Sequence, residues 1–267
     1  MGITKVSLLE NPLSTFSPWV IFHIPHDSTV IPQEVRSQFS LSDQALSDEL
    51  IKMTDHRTFD LFAKEMPSNQ VIRSLVSRLV MDVERFEDDV QELMSQKGMG
   101  AIYMNTHAGL PLRHPLTQAE REILLSNWYR PHHLALTDAV NQMIAQYGQA
   151  LVIDAHSFPA VALPYELDQN PDRPEICIGT DDFHTPSALV NAMTEAFSNA
   201  GFDVRLNSPF AGALVPMNHY GKDPRVSAVM IEVRRDLYID ETTGLPLANF
   251  DQMTQKIQGC IAKSLNG

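Results

Sequence analysis

The chain has 267 residues, of which 43% are apolar, and its formal net charge is −13. This size is sufficient for one substantial hydrophobic core, and we expect a single domain over residues 1–267. The strong negative charge argues against nucleic acid or an anionic membrane surface as a partner, because both would repel the protein. No apolar stretch approaches the roughly 20 residues that a membrane span needs.

Cysteine usage and the amino terminus indicate the compartment. Cys177 and Cys260 are too few for a disulfide framework, and the amino terminus lacks the basic start and apolar stretch of a signal peptide. We therefore expect a cytoplasmic protein whose two thiols are reduced and packed in the interior.

The first predicted strand is the apolar run Trp19–His23, which leads into Ile24-Pro25-His26-Asp27-Ser28. Because ligands collect beyond the carboxyl ends of strands in open α/β sheets, His26 lies where a site is expected. A helix over about Ser42–Glu65 comes next, since apolar residues recur there at near-helical spacing. This helix would carry Asp55.

A second strand is predicted over Arg78–Val83, and Arg85 follows it closely. Arginine binds carboxylates through paired hydrogen bonds and can stabilise an oxyanion, so Arg78 and Arg85 are candidates for substrate contacts. The alternative is that both arginines form surface salt bridges with the neighbouring acidic residues Asp82, Glu84 and Glu87.

A capping box, Thr117-x-x-Glu120, predicts the start of a long helix that ends at Gly148. Pro131 lies in the middle of this helix and removes a backbone hydrogen bond there, so we expect a break or kink. The pair His132-His133 follows. It would either belong to a site at the break or lie exposed on the turn.

The third predicted strand, Leu151–Asp154, leads directly into Asp154-Ala155-His156. Asp154 and His156 point to the same side of an extended chain. The carboxylate could therefore orient the imidazole, as carboxylates commonly do for histidines that bind a metal.

The rest of the chain continues the alternation of strands and helices. Three further strands are predicted, over Ile176–Gly179, Asp203–Leu206 and Ala228–Val233. One helix begins with Thr185 as its cap and Pro186 in its first position, and a last helix runs from about Asn249 to Leu265. This order predicts an α/β fold with a mostly parallel sheet.

Two histidines at strand ends, His26 and His156, suggest a metal site that the fold assembles. Zinc enzymes commonly use three protein ligands, often two histidines and a carboxylate, and leave one position for water. Asp55 is our candidate for the third ligand, and Asp27 and Glu84 are the alternatives. Taken singly, each histidine could instead be a hydrogen-bonded structural residue, and Asp55 a carboxylate on a helix surface.

Glu232 lies inside the otherwise apolar run Val229–Val233. A carboxylate in a buried strand is costly unless it is paired or functional. It would be either a general base with a raised pKa or the partner of Arg234 or Arg235 in a structural ion pair. Because residues 232 and 234 share a face, Arg234 could also support it.

In their order and spacing, these motifs resemble those of the N-formylglutamate amidohydrolases, whose fold is related to the zinc carboxypeptidases. The resemblance spans about residues 19–241. It rests on seven segments: Ile24-Pro25-His26-Asp27-Ser28, Thr54-Asp55-His56, Ser77-Arg78, Asp82-Val83-Glu84-Arg85, Pro131-His132-His133, Asp154-Ala155-His156-Ser157 and Glu232 to Tyr238, together with the loop from Asn207 to Gly212 and its continuation to Tyr220-Gly221.

The resemblance implies a three-layer α/β/α domain with a mostly parallel, mixed central sheet like that of the zinc carboxypeptidases. It implies one zinc ion per chain, bound by His26, Asp55 and His156, with Glu232 as the catalytic glutamate. Arg85 would hold a substrate carboxylate and Arg78 would lie near the oxyanion. Further candidates for substrate binding are His133, Arg234 and Asn207.

The sequence departs from the family pattern at three positions. Asp27-Ser28 stands where Ser-Gly is usual, Glu84 where asparagine is frequent, and Ala213 in place of the second glycine of the substrate loop. These changes concern the pocket and not the metal.

The implied reaction is zinc-dependent hydrolysis of the amide bond of a small N-acyl amino acid. N-formylglutamate or a close analogue is the first candidate for this small anionic substrate, and it would give formate and glutamate. The alternatives are a deacylase or carboxypeptidase-like hydrolase of another acyl amino acid or short peptide, and a catalytically inactive binding protein of the same fold.

Overall fold

The structure, a computed structural model, describes residues 16–266, so the expectation about a signal peptide concerns residues outside the described range. Most of its strands form one six-stranded sheet in the order β2-β1-β3-β6-β4-β5, and β7 and β8 form a small hairpin. The strands are β1 Val20–Ile24, β2 Val71–Arg73, β3 Ala150–Phe158, β4 Ile176–Gly179, β5 Val204–Leu206, β6 Val226–Arg234, β7 Ile239–Asp240 and β8 Leu245–Pro246.

The sheet is mixed but mostly parallel, as predicted. Strands β2, β1, β3 and β6 run parallel, whereas β4 pairs antiparallel with β6 and parallel with β5. Strands β1 and β3 are buried along their whole length, as their continuous apolar runs predict for a sheet covered on both faces.

Helices cover both faces of this sheet and make three layers. The α-helices are α1 Asp43–Met53, α2 Thr58–Phe62, α3 Gln118–Leu124, α4 Arg130–Tyr147, α5 Ser187–Asn199 and α6 Phe250–Asn266. Short 3-10 helices lie at Gln33–Gln38, Ser68–Gln70, Leu93–Lys97 and Arg235–Leu237. None of the helices in the described part of the chain is long and apolar enough to cross a membrane.

Alternate residues of β1 belong to different hydrophobic clusters, which shows directly that the sheet has two covered faces. Val20 and Phe22 pack in the cluster that includes residues of α5 and α6, whereas Ile21 packs with residues of α4. This alternation is the two-residue period of a strand. A third cluster lies between α1, α3 and residues 76–103, and it packs around the segment that carries Arg78 and Asp82.

The prediction of a strand over Arg78–Val83 is wrong. These residues form turns and irregular backbone, and the strand that pairs with β1 is instead the short segment β2. The apolar run is nevertheless buried, because Leu79, Val80 and Met81 pack in the third cluster. A short apolar run does not distinguish a buried strand from another buried segment.

The single helix predicted over Ser42–Glu65 is also wrong, because the chain is interrupted between α1 and α2. Arg57 has a left-handed backbone with φ of 66°, and the Asp55 amide donates to the carbonyl of His26. The interruption has a functional consequence: Asp55 lies in a buried turn against His26 and not on a helix surface.

Pro131 does not break the long helix. The chain runs from α3 through a π-helical turn at Leu125–Tyr129 into α4, whose second residue is Pro131. A wider turn is one way for a helix to accommodate a residue that lacks its amide donor. The capping box at Thr117 and the end at Gly148 are as predicted. The predicted start of α5 is wrong by one residue: Pro186 is the N-cap and Ser187 the first helical residue, while the Thr185 hydroxyl donates to the carbonyl of Ala228.

Candidate active site

Three neighbouring parallel strands bring the predicted residues together. His26 lies two residues beyond β1, His156 lies near the end of β3, and Glu232 lies near the end of β6. His156 is directly opposite Glu232 in the pairing of β3 with β6. The carboxyl ends of adjacent parallel strands meet at one edge of a sheet, and a site lies at this edge as expected.

His26 has one nitrogen satisfied and one without a partner. Its Nε2 lies 2.8 Å from Asp82 Oδ1, while its Nδ1 is buried with no hydrogen-bond partner. A proton on Nε2, donated to Asp82, leaves the Nδ1 lone pair directed into the site. This is the arrangement of a metal-ligating histidine held by a carboxylate behind it, so the residues fit a metal ion at this place.

His156 lies among three carboxylates. Its Nδ1 is 3.2 Å from Asp55 Oδ2, and its Nε2 is 3.1 Å from both Asp154 Oδ1 and Glu84 Oε1. Burial alone would lower the pKa of His156, but the charges of Glu84 and Asp154 raise it well above its ordinary value. Asp154 thus contacts the imidazole as predicted.

Two of the three carboxylates considered as the third ligand lie close to both histidines. Asp55 Oδ2 is 3.7 Å from His26 Nδ1, and Glu84 Oε2 is 3.8 Å from the same atom. Donor atoms of His26, Glu84 and His156 all lie within 4.8 Å of one another. Asp27, by contrast, is held by Arg73, which reaches its two oxygens at 2.8 and 2.7 Å.

Asp55 is the more rigidly held of the two. Its Oδ1 accepts from Arg235 Nη2 at 2.6 Å, and its Oδ2 accepts from the backbone amide of Ser157 at 3.2 Å. Burial alone would raise the pKa of Asp55, but hydrogen bonds with His156 and His26 hold this pKa well below its usual value. The side chain of Glu84 is 18% exposed, compared with 2% for Asp55.

Glu232 is buried at the floor of the site and has a free oxygen. Burial raises the pKa of its carboxyl to about 8, and its Oε2 has no hydrogen-bond partner among the described residues. Neither arginine considered as its structural partner forms an ion pair with it. Arg234 pairs with Asp236, and Arg235 pairs with Asp55.

Two of the arginines in the site are fixed by hydrogen bonds. Arg78 donates to Asp82 at 2.9 Å and to the Tyr103 hydroxyl at 3.1 Å. Arg235 bonds to Asp55, Ser157 and the carbonyl of Lys52. Their positions are therefore set before any substrate binds.

Arg85 differs from these two arginines. Its nearest acidic atoms are Asp82 Oδ2 at 3.8 Å and Glu92 Oε1 at 3.9 Å, both beyond hydrogen-bond distance. Its Nε has no partner within the part of the chain that the structure describes. Its guanidinium can thus accept a carboxylate without first breaking an internal bond.

These groups line one cavity of about 390 Å³ at the carboxyl edge of the sheet. The lining includes seven of the predicted residues or their alternatives: His26, Asp55, Arg78, Glu84, Arg85, His156 and Glu232. Hereafter this cavity is called the main cavity. A space of this size suits a small molecule enclosed by protein.

Three predicted substrate-binding residues lie outside the lining of the main cavity. Asn207 bonds to Thr180 through its side-chain amide and thereby holds the turn that follows β5. Arg234 donates to Asp236 and to the carbonyl of Arg173. His133 donates to the carbonyl of Val83 and lines a second, adjoining cavity.

A chain of hydrogen bonds connects the site to helix α4. His132 Nε2 and His23 Nε2 are 2.8 Å apart, and His23 Nδ1 lies 2.8 Å from Asp154 Oδ1. All three side chains are buried. Sequence reasoning assigned Asp154 as a support for His156 but missed His23, because a histidine at the end of a strand gives no signal of its partner.

A buried ion pair lies beside the main cavity, which Glu166 lines. Arg173 Nη2 is 2.7 Å from Glu166 Oε2, and the guanidinium lies over the rings of Phe158 and Phe210. Removal of one partner leaves the other as an uncompensated buried charge.

We therefore expect Arg173→Met to lower the free energy of unfolding by about 3 kcal/mol, because Glu166 would remain buried and charged. The double variant with Glu166→Gln should recover most of this loss. Urea denaturation of the parent, the single variant and the double variant measures the free energy of unfolding of each. A single variant within about 1 kcal/mol of the parent would show that the pair is not needed for stability.

Comparison with known proteins identifies relatives over most of the chain. A sequence model of the N-formylglutamate amidohydrolase family matches residues 18–239. The N-formylglutamate deformylase of Pseudomonas aeruginosa is 28% identical over 233 residues, which cover 83% of this chain and 82% of the relative. That of Pseudomonas putida is 27% identical over 84% of this chain and 82% of the relative.

Solved structures show the same fold. The crystal structure of an N-formylglutamate amidohydrolase from Ralstonia eutropha superposes with a TM-score of 0.80 at 22% identity, covering 93% of this chain and 92% of that one. A gene product of Agrobacterium tumefaciens superposes with a TM-score of 0.67, also at 22% identity, covering 93% and 90% of the two chains.

Proposed function

Because the chain belongs to the N-formylglutamate amidohydrolase family, a family of hydrolases that act on an amide bond, we propose that it hydrolyses a small N-acyl amino acid with the help of one zinc ion. N-formylglutamate, the substrate for which the Pseudomonas relatives are named, or a close analogue is the first compound to test. The products would be formate, or another acid, and the free amino acid.

One observation supports this proposal above the others. A buried glutamate with a free oxygen lies in the same cavity as two histidines and a carboxylate with the donor types that zinc prefers. A protein that only binds its ligand has little use for an unpaired buried carboxyl, which is costly to maintain.

We propose that His26, His156 and Asp55 bind the zinc ion. Each histidine would use Nδ1, because each has a carboxylate at Nε2: Asp82 for His26 and Asp154 for His156. If Glu84 were the ligand, His156 would coordinate through Nε2 and lose the support of Asp154. When bound, zinc supplies an activated water and polarises the acyl oxygen.

Glu232 then acts as the proton carrier of the reaction. Burial raises its pKa to about 8, within about one unit of neutral pH, which suits a group that must both accept and release a proton. It would take the proton of the attacking water and deliver it to the nitrogen of the leaving amine. Because Glu232 lies opposite His156 on paired strands, the sheet fixes the distance between these two residues.

The arginines would bind and polarise the substrate. Arg78, held by Asp82 and Tyr103, offers its remaining N–H groups to the oxyanion that forms at the acyl carbon. Arg85, whose guanidinium is not hydrogen bonded, would clamp the α-carboxylate of the amino acid.

The choice between Asp55 and Glu84 can be tested directly. We expect Asp55→Asn to weaken zinc binding by at least ~100-fold, because a neutral amide is a poor zinc ligand. Glu84→Gln should retain zinc. Mass spectrometry of metal content after dialysis measures both, and circular dichroism checks that both variants are folded. Loss of zinc from Glu84→Gln alone would identify Glu84 as the ligand.

A further inference from the structure

A second cavity adjoins the main cavity and has a different character. Its volume is about 190 Å³, and it shares residues 84–86 and 212–214 with the main cavity. Beyond these residues, which mark the junction, most of its lining side chains are apolar or aromatic: Tyr129, Val215, Met217 and Tyr220.

Arg85 is the only cation that serves both cavities within the described range. The main cavity is also lined by Arg78 and Arg235, but each of these already donates to a buried aspartate. The second cavity adds no lysine and no further arginine to its lining. One free guanidinium at the junction can therefore hold one carboxylate.

The other titratable groups of the second cavity do not supply a second positive charge. Burial lowers the pKa of the His133 imidazole to about 4, so this side chain is neutral near pH 7. Asp181 and Glu84 are carboxylates, and they would repel an anionic group that entered the cavity.

N-formylglutamate carries two carboxylates, one on the α-carbon and one at the end of the side chain. If Arg85 holds the first, the second would enter an apolar space beside two carboxylates, where no described cation can pair with it. A charge that is moved from water into such a place without a partner is strongly disfavoured.

We infer that the preferred substrate is an N-formyl amino acid with an uncharged, apolar side chain, which lies in the second cavity while Arg85 holds the α-carboxylate. This inference rests on the proposed function and specifies the substrate class. Phe86, Met217 and Tyr220 line this cavity with partly exposed side chains, and they would determine which substrate side chain is preferred.

The test compares kcat/KM of the zinc-loaded enzyme for the N-formyl derivatives of glutamate, glutamine, methionine and leucine. Glutamate and glutamine have the same shape and differ in charge. We expect the glutamine derivative to exceed the glutamate derivative by about 10-fold, and the methionine and leucine derivatives to exceed both.

A variant with an added cation should improve the turnover of N-formylglutamate. Met217 is 61% exposed at the rim of the second cavity, so Met217→Arg would add a cation there without disturbing the core. We expect it to raise the glutamate-to-glutamine ratio of kcat/KM by about 10-fold. Met217→Gln, which adds polarity without charge, is the matched control and should leave the ratio unchanged.

Two outcomes would overturn the inference, and they are distinguishable. A wild-type preference for N-formylglutamate over the glutamine, methionine and leucine derivatives would overturn the inference and leave the proposed function intact. Turnover of none of the four compounds by an enzyme that carries zinc would overturn both. Dissociation constants of free methionine and free glutamate, measured by calorimetry, should show the same preference without turnover.

Discussion

Glu232→Gln is expected to lower kcat by about 10³-fold and to leave the zinc content unchanged, because the amide keeps the shape of the carboxyl but cannot carry the proton. The effect should be this large because no other described carboxyl in the main cavity combines burial, a free oxygen and a position opposite His156. Steady-state kinetics with the best N-formyl amino acid measures it.

The matched control for this variant is Glu195→Gln, which makes the same chemical change at an exposed position on α5. It should have parental kinetics. Activity of Glu232→Gln within about fivefold of the parent would remove Glu232 from the mechanism, since general acid–base catalysis contributes far more than that. Loss of zinc together with activity would instead assign Glu232 a role in metal binding.

His156→Ala is expected to abolish zinc binding and activity together. The parent, purified without chelator, should contain about one zinc ion per chain, and the variant less than about a tenth of this, because two ligands hold zinc far less tightly than three. Mass spectrometry of metal content provides the measurement.

His114→Ala controls for the loss of an imidazole, since His114 is exposed and does not line the main cavity, and its ring lies near the Ser40 hydroxyl. It should keep both zinc and activity. A parent protein that contains no metal, and takes up none during titration with zinc, would contradict the metallohydrolase proposal. The chain would then be better described as a binding protein that shares the fold.

The site residues at or near the ends of strands could be predicted from the sequence. His26, His156 and Glu232 stand at or near the ends of apolar runs, and parallel pairing brings such ends together without further information. Their convergence on one cavity follows from the fold class alone.

The site residues that lie in loops, Asp55 and Asp82, could not be placed by the same reasoning. Asp82 supports His26 from a segment predicted to be a strand, and its contact is made across 56 residues of sequence. Asp55 reached the site because α1 ends at Met53, an interruption for which the apolar spacing gave no signal.

Arg235 shows why a strand pattern misleads at its end. Alternation along β6 places residues 232 and 234 on one face, which pointed to Arg234. The strand ends at Arg234, however, and a 3-10 turn over Arg235–Leu237 redirects the chain, so that Arg235 and not Arg234 reaches the main cavity. An uncertainty of one residue in the end of the strand is therefore enough to change which of the two arginines is predicted to reach the main cavity.

The pairing of β3 with β6 holds the catalytic groups on a different part of the chain from the residues that surround the substrate side chain. The groups assigned to the chemistry, His156 and Glu232, are held by adjacent backbones of the sheet. Most of the lining of the second cavity, in contrast, comes from residues 84–86 and 212–217, which lie outside every strand and α-helix. Insertions or exchanges in such segments are tolerated without movement of the elements beneath them. A change of substrate can therefore evolve, or be engineered, in these two segments while the catalytic geometry is inherited unchanged.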